Sequence, residues 1–152
     1  MINKYKYIMI CIVIIVMMID IIVLPLIHPP KKLIVYNFIK NYDVFQSIAD
    51  HSMDTEGNLF VCRRLVNIFG PRNINKDVDL PPVVRRNILK LIVKLSYNAI
   101  QEGGSHLYFQ RNVGGYEQGI IFCADDTIKE SKSYYYIEKI KDRWYYYVKL
   151  NN

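Results

Sequence analysis

The sequence of 152 residues has few of the side chains that serve as metal ligands or nucleophiles, with three histidines and three cysteines. His28, His51 and His106 stand far apart along the chain, and neither a Cys-x-x-Cys nor a His-Glu-x-x-His pattern occurs. A zinc site needs several such ligands held close together, so the sequence predicts no metal site. The glycines likewise form no phosphate-binding pattern, and we expect no bound cofactor.

The cysteines are also too few for a disulfide framework, because one of the three lies in the apolar N-terminal stretch. Cys62 and Cys123 lie in apolar, strand-like segments, and we expect buried free thiols, although a domain outside the cell could pair them. A nucleophile pair of Cys123 with His106 finds no support in the local sequence. Asp125 and Asp126 follow a strand, where neighbouring side chains point apart, so a turn is expected there. We predict that the protein is not an enzyme.

Long runs of one charge are lacking as well. Residues 33–152 contain 16 Lys and Arg and 13 Asp and Glu, a net charge of +3, and no five like charges follow one another. A surface built for nucleic acid needs a stronger positive field, so nucleic acid is not the expected partner. Alanine is rare while Ile, Lys, Asn and Tyr are abundant, which is typical of an AT-rich genome and raises the tyrosine count without a functional cause.

The feature that dominates the sequence is an unbroken apolar stretch over residues 7–27, in which Asp20 is the only charged residue. A helix of this length reaches roughly 31 Å, enough to cross the ~30 Å hydrocarbon core of a bilayer. A cleaved signal peptide needs a shorter core and small residues at a cleavage site, and a lipoprotein signal needs small residues before Cys11. Neither pattern is present. We therefore predict an uncleaved signal anchor, with Asp20 near the outer interface or in contact with another membrane helix.

This anchor divides the chain into four predicted parts. They are a short basic tail over residues 1–6, the transmembrane anchor over residues 7–27, a Pro/Lys linker over residues 28–32 and one domain over residues 33–152. The cations on the two sides of the anchor are nearly balanced, so the positive-inside rule gives little help with orientation. A short basic tail before an anchor usually stays in the cytoplasm, and we expect a cell-membrane protein with its domain outside.

Two helices are expected in the domain. Residues 41–51 place apolar side chains at helical spacing on one face. A longer helix is predicted over residues 83–102, because a pair of prolines precedes it and a pair of glycines follows it. Its apolar residues, Leu89 and Val93 among them, occupy an arc of roughly 200°, so we expect this helix to pack across the sheet with those side chains buried.

The rest of the domain is predicted to be β-structure. An apolar stretch interrupted by two arginines favours a strand over residues 59–69. Four further segments alternate like strands and are separated by glycine pairs or polar turns, namely residues 106–111, 116–124, 133–140 and 143–150. The predicted fold class is α+β, with an N-terminal transmembrane helix followed by about two helices packed on an antiparallel sheet of about four strands.

Three segments carry a resemblance to known proteins: GGYEQGIIFCADD over residues 114–126, IEKIKDRWYYYVKL over residues 137–150 and NYDVFQSIAD over residues 41–50. The tyrosine-rich C-terminal end resembles that of small, uncharacterised, membrane-anchored bacterial proteins, and the helical segment is similar to their first helix. The resemblance implies a single N-terminal anchor carrying a small α+β domain. It implies no activity.

The tyrosines of the last two strands are the remaining unusual feature. Strand alternation places Trp144, Tyr146, Val148 and Leu150 under the long helix and predicts an outward-facing set on the other side of the hairpin. That set is a possible interaction face of five residues, Tyr134, Tyr136, Tyr145, Tyr147 and Lys149. Two alternatives remain open: the tyrosines only pack against each other across the strands, or residues 33–39 or the linker cover the face.

These predictions lead to a hypothesis about function. The chain is interpreted as a single-pass membrane protein of unknown function that meets the lipid bilayer through residues 7–27. Its domain is interpreted as a non-catalytic binding or interaction module for a protein or an envelope polymer. The alternatives are a small hydrolase of envelope components and a cytoplasm-facing domain that binds nucleic acid.

Overall fold

The computed structural model describes residues 6–15, 17–18, 29–54, 59–71, 80–113, 115–126, 128 and 134–150. The chain divides into two compact units, Met1–Pro30 and Lys31–Asn152.

In the first unit, residues 6–15 and 17–18 form helix α1, whose large apolar side chains are exposed. Among the described residues, no helix combines the length and the apolar character that a membrane crossing requires. Part of the predicted anchor over residues 7–27, including Asp20, lies outside the described residues. The anchor therefore stays a prediction.

The second unit is built on an antiparallel sheet, as predicted, with six strands in the order β1-β2-β3-β4-β6-β5. The strands are β1 Phe60–Cys62, β2 Ala99–Gly103, β3 His106–Val113, β4 Tyr116–Cys123, β5 Tyr134–Lys141 and β6 Trp144–Leu150. The four strands predicted in the C-terminal half are confirmed. Strands β1 and β2 extend the sheet beyond β3, and of these two only β2 was not expected to be a strand.

One face of this sheet is covered by helices. These are α2 Lys31–Lys40, α3 Tyr42–Asp54, α4 Arg63–Phe69 and α5 Pro82–Leu89, and α5 continues into a π-helical turn, Lys90–Lys94. The α+β class is confirmed, and α3 is the helix expected over residues 41–51. Lys31 and Lys32, assigned to the linker from the sequence, instead form the first turn of α2.

The prediction of one long helix over residues 83–102 is wrong in its second half. Helical structure ends with the π-helical turn, and Ser96 takes a left-handed φ of 58°. Residues 99–103 then form β2, because their backbone groups pair with both β1 and β3. The glycine pair expected to end the helix lies at the turn between β2 and β3. Pairing with β1, which is distant in sequence, and with β3, the next strand of the chain, has overridden a local helical preference.

The strand predicted over residues 59–69 is right only for its first part. Three residues pair with β2, and the amide of Arg63 then donates to the carbonyl of Asn98 at 2.7 Å. From Arg63 the chain turns into α4, which buries Val66 and ends at Gly70. An apolar stretch of this length does not by itself distinguish a strand from a buried helix.

Aromatic rings fill the core between the helices and the sheet. Trp144 of β6 is fully buried and lies 5.0 Å from Phe38 and 4.9 Å from Phe122, measured between ring centroids. Phe45 packs edge-on against Phe109 at 4.9 Å. Rings at these separations and tilts gain attraction beyond the burial of their surface.

The predicted faces of β6 are confirmed, but those of β5 are not. Trp144 and Tyr146 belong to the core under the helices, as expected. In β5 the pairing with β6 shifts between Tyr134 and Tyr136, which marks a β-bulge. An extra residue in a strand reverses the side on which later side chains lie. Tyr134 therefore packs on the helix-free face together with Ile137.

Candidate interaction surfaces

Five residues on the helix-free face of the sheet form a group that we call the tyrosine cluster: Tyr108, Glu117, Tyr134, Tyr147 and Lys149. Strand register brings them together, because Lys149 lies directly opposite both Glu117 of β4 and Tyr134 of β5. The ring of Tyr147 lies 5.8 Å from that of Tyr108 and 6.1 Å from that of Tyr134, and both pairs are edge-on. These are the cross-strand contacts that stabilise a sheet.

The polar groups of this cluster satisfy one another. The hydroxyl of Tyr147 donates to Glu117 Oε1 at 2.6 Å, and Lys149 Nζ lies 3.2 Å from the same oxygen. The hydroxyls of Tyr108 and Tyr134 are hydrogen-bonded at 2.9 Å. Burial and the neighbouring carboxylate of Glu117 raise the pKa of Tyr147 well above its ordinary value. The cluster therefore holds a protonated phenol beside a buried carboxylate.

Gly119 makes room for the cluster. It lies opposite Tyr147 in the ladder between β4 and β6. A Cβ atom at this position would lie 3.2 Å from the ring of Tyr147 and only 1.9 Å from the carbonyl oxygen of Phe109. The backbone of β3 and the Tyr147 ring thus occupy the space that any side chain at residue 119 would need.

Two described residues of the connection between β4 and β5, Asp126 and Ile128, contact this face. Asp126 accepts hydrogen bonds from Lys139 Nζ at 2.6 Å, from the Tyr145 hydroxyl at 3.0 Å and from the amide of Arg143 at 3.1 Å. The hydrogen bond from Lys139 is the main reason why the pKa of Asp126 lies below its ordinary value. Ile128, further along the same connection, packs on the buried residues of the helix-free face.

The prediction that Tyr145 and Tyr147 are both substantially exposed is wrong. Tyr147 is fully buried and Tyr145 is half-buried. Half-buried Tyr134 does lie beside Tyr147, as expected for the hairpin. Asp126 and Ile128 of the connection between β4 and β5 contact this face, whereas the predicted covering segments were residues 33–39 and the linker. Sequence alternation shows which side chains share a face, but not which loop folds over it.

Tyr136 lies apart from the other predicted residues. Because of the bulge in β5, its ring packs against Tyr146, on the side of the helices. Its hydroxyl accepts a hydrogen bond from Lys31 Nζ at 3.0 Å and donates to Glu138, which in turn forms a salt bridge with Lys31. These contacts tie β5 to the start of α2. The structure thus brings together Tyr134, Tyr145, Tyr147 and Lys149, but not Tyr136.

The cysteine and histidine that could have formed a nucleophile pair are cross-strand neighbours, Cys123 in β4 and His106 in β3. Burial, with added repulsion from Asp125 and Asp126, raises the pKa of Cys123 to about 12. A nucleophilic cysteine needs the opposite shift, because the thiolate is the reactive form. Cys62 and Cys123 are both free thiols, so they do not pair. In the described part of the chain, no three potential metal ligands come together.

A second surface lies on the outer side of α5 and its π-helical turn. We call it the basic helical surface and define it by Arg86, Leu89, Lys90, Val93 and Lys94. These residues recur at intervals of three and four, so they share one side of the helix. The opposite side buries Val84, Ile88, Leu91 and Ile92 in the core, as expected for apolar residues of this helix, while Leu95 is only partly buried.

The apolar members of this surface are open to solvent, although the sequence predicted them to be buried. Leu89 is 39% exposed and Val93 is 53% exposed. The helix contacts the core over a narrower arc than predicted, and its chain leaves for β2 instead of continuing across the sheet. The π-helical turn, in which the amide of Leu95 donates to the carbonyl of Lys90 at 3.1 Å, sets where this exit occurs.

Two adjoining grooves border this surface. One, of about 600 Å³, is lined by the basic helical surface together with Val44 and Asn87. The other, of about 480 Å³, is lined by residues 80–82 together with Arg85, and it shares Arg86 and Leu89 with the first. Neither lining includes a carboxylate.

The cations of the surface are not neutralised within the described part of the domain. No salt bridge there involves Arg86, Lys90 or Lys94. A signal for this surface was present in the sequence, because residues 80–101 contain four cations and no Asp or Glu. Because these cations are mixed with apolar residues, the segment was interpreted as a buried helix, and the exposed basic surface was not predicted.

Comparison of the chain with known protein families, with curated proteins and with solved structures finds no match. The two surfaces can therefore be judged only by their own chemistry. The tyrosine cluster is buried in part and its polar groups are paired. The basic helical surface is largely exposed and borders two grooves, and no salt bridge among the described residues involves its cations.

Proposed function

We propose that the chain is a single-pass membrane protein whose domain is a non-catalytic interaction module, and that the basic helical surface makes the contact. The observation that carries the proposal is the combination of two exposed apolar side chains, Leu89 and Val93, with cations that form no salt bridge among the described residues. Exposed apolar residues gathered beside a groove are typical of interaction sites.

The chemistry of the other candidate groups favours interaction over catalysis. The raised pKa of Cys123 keeps its thiol protonated at neutral pH. The carboxylate of Asp126 accepts hydrogen bonds from three donor groups, which hold the connection between β4 and β5. Glu117 is engaged by Tyr147 and Lys149. Each of these groups stabilises the fold. The exposure of Leu89 and Val93, by contrast, does not stabilise the domain.

The membrane part of the proposal is supported by the sequence. The apolar stretch over residues 7–27 has the length of a bilayer crossing and is followed by no cleavage pattern. An anchor of this kind would hold the domain at the bilayer throughout its life.

Cysteine labelling in native membranes tests the interaction. A cysteine introduced by Val93→Cys is compared with one introduced by Tyr135→Cys, on edge strand β5, where the residue is 77% exposed. The unsubstituted protein gives the background from the native cysteines. We expect position 93 to react with a water-soluble maleimide more slowly than position 135, and detergent to remove the difference. Equal rates at the two positions in intact membranes would contradict the proposal.

A further inference from the structure

We infer that the partner of the basic helical surface is the headgroup layer of a bilayer that contains anionic phospholipids. The inference rests on the proposed function and names the partner of that same surface. A helix that lies in a membrane interface presents cations beside apolar side chains, and both contact the same lipid layer. Arg86, Lys90 and Lys94 supply the cations here, and Leu89 and Val93 supply the apolar side chains.

The dimensions of the surface suit a flat layer of headgroups. Residues 86–94 extend over roughly 13 Å at the rise of a helix, so their side chains can meet one continuous plane. Lysine and arginine have long apolar stems, and their charged ends can remain among phosphates while shorter side chains reach deeper. Leu89 and Val93 are 39% and 53% exposed and lie between the cations, at the positions that would enter the layer.

The distribution of charge points to an anionic layer. Four cations and no carboxylate occur over residues 80–101, and neither groove beside the surface is lined by an acid. Near an anionic membrane each lysine or arginine strengthens binding by about fivefold. Such an attraction fades within about 10 Å at moderate salt, so it acts only on a domain that is already close to the membrane.

The short link to the predicted anchor keeps the start of the domain close to the bilayer. Only residues 28–30 separate the predicted anchor from Lys31, where α2 begins. Three extended residues reach no further than about 11 Å. A tether this short makes contact with the bilayer an intramolecular event with a high effective concentration, whereas an acidic protein partner must still be encountered by diffusion. This difference favours lipid over protein as the partner.

Lysine labelling of the full-length protein in nanodiscs tests the inference. Each disc carries one copy of the chain, so that no second copy can cover the surface. One set of discs contains phosphatidylglycerol and phosphatidylcholine, and the other contains phosphatidylcholine alone. Acylation of Lys90 and Lys94 is measured by mass spectrometry relative to Lys141, an exposed lysine of β5. We expect this ratio to be at least fivefold lower in the anionic discs and to recover at about 0.5 M salt.

Two variants test whether the apolar side chains take part. Leu89→Ser with Val93→Ser keeps every lysine and changes only exposed side chains, and it should abolish most of the protection. Tyr135→Ser, a matched change at an exposed position of β5, should leave the protection intact. Equal effects of the two changes would overturn the inference, because protection would then not depend on this surface.

The remaining outcomes separate the inference from the proposed function. Equal labelling ratios in anionic and neutral discs overturn the lipid partner, as does protection that salt does not reverse. If position 93 is nevertheless shielded in native membranes, the interaction module stands and its partner is a protein. If position 93 is not shielded there either, the proposed function falls as well.

Discussion

Replacing Gly119 by alanine should destabilise the domain far more than the small size of the added methyl group suggests. An alanine Cβ would lie 1.9 Å from the carbonyl oxygen of Phe109, whereas Cβ contacts shorter than 3.0 Å essentially never occur. Strands β3 and β4 must therefore separate locally by at least about 1.1 Å. Residue 119 lies in β4, which pairs with β3 on one side and β6 on the other, so neither neighbour can shift freely.

The size of the effect follows from opposing contributions. Inserting a methyl group into a packed site costs about 1–3 kcal/mol. Separating β3 from β4 weakens ladder hydrogen bonds, each worth about 1 kcal/mol. Removing a glycine from a strand interior returns about 0.5–1 kcal/mol. We expect a net loss of about 3 kcal/mol, a large part of the 5–15 kcal/mol that is typical of a folded domain.

The measurement is urea unfolding of the full-length protein in detergent micelles, followed by the emission of Trp144. This residue is the chain's single tryptophan and is fully buried, so its spectrum reports directly on the core. A loss of about 3 kcal/mol should lower the midpoint by on the order of 1–3 M urea.

The matched control is Gly103→Ala in β2. Its added Cβ would lie 3.4 Å from the ring of Tyr108, an ordinary contact, so stability should stay within about 1 kcal/mol. A midpoint for Gly119→Ala at or above that of Gly103→Ala would refute the close approach of β3 to residue 119.

Three further predictions concern the core, the tyrosine cluster and the anchor. Leu91→Ala should lower the free energy of unfolding by about 2–5 kcal/mol, because Leu91 is fully buried. Val93→Ala, at a 53% exposed position, should lower it by less than about 0.5 kcal/mol. Similar values for the two variants would contradict the described orientation of the helix. Tyr147→Phe should cost about 1–3 kcal/mol because Glu117 loses a buried donor, and a neutral effect would argue against this hydrogen bond. The pKa of Tyr147 is raised above its ordinary value of 10, so above pH 10 the unfolded chain binds fewer protons than the folded chain. The free energy of unfolding therefore falls as the pH rises. The slope of this fall, measured by unfolding at several pH values, should be smaller in Tyr147→Phe. Carbonate washing should leave the uncleaved chain in the membrane fraction, whereas a soluble form beginning near residue 28 would disprove an anchor over residues 7–27.

The sequence by itself determined the positions of the four strands β3 to β6. Alternation in β6 placed Trp144 and Tyr146 on the helix side correctly, because successive side chains of any strand point to opposite faces. The helix over residues 42–54 was equally predictable from the spacing of its apolar side chains. These features depend only on neighbouring residues, so local patterns are enough to find them.

The tertiary structure alone decided how far each pattern extends. Residues 99–103 carry a helical pattern but form β2, because their backbone groups pair with β1, which is remote in sequence, and with β3, the next strand of the chain. The bulge in β5, which separates Tyr134 from Tyr136, is invisible to alternation because one extra residue changes the side of all that follow.

Exposure was likewise decided in three dimensions. Tyr147 is buried and Leu89 is exposed, the reverse of what the sequence predicted for each. Local periodicity assigns a side chain to a face, but burial depends on what the rest of the chain lays over that face. Here Asp126 and Ile128 of the connection between β4 and β5 contact the tyrosines, and no described segment buries Leu89 and Val93. Both candidate surfaces therefore owe their character to contacts between segments that are far apart in sequence.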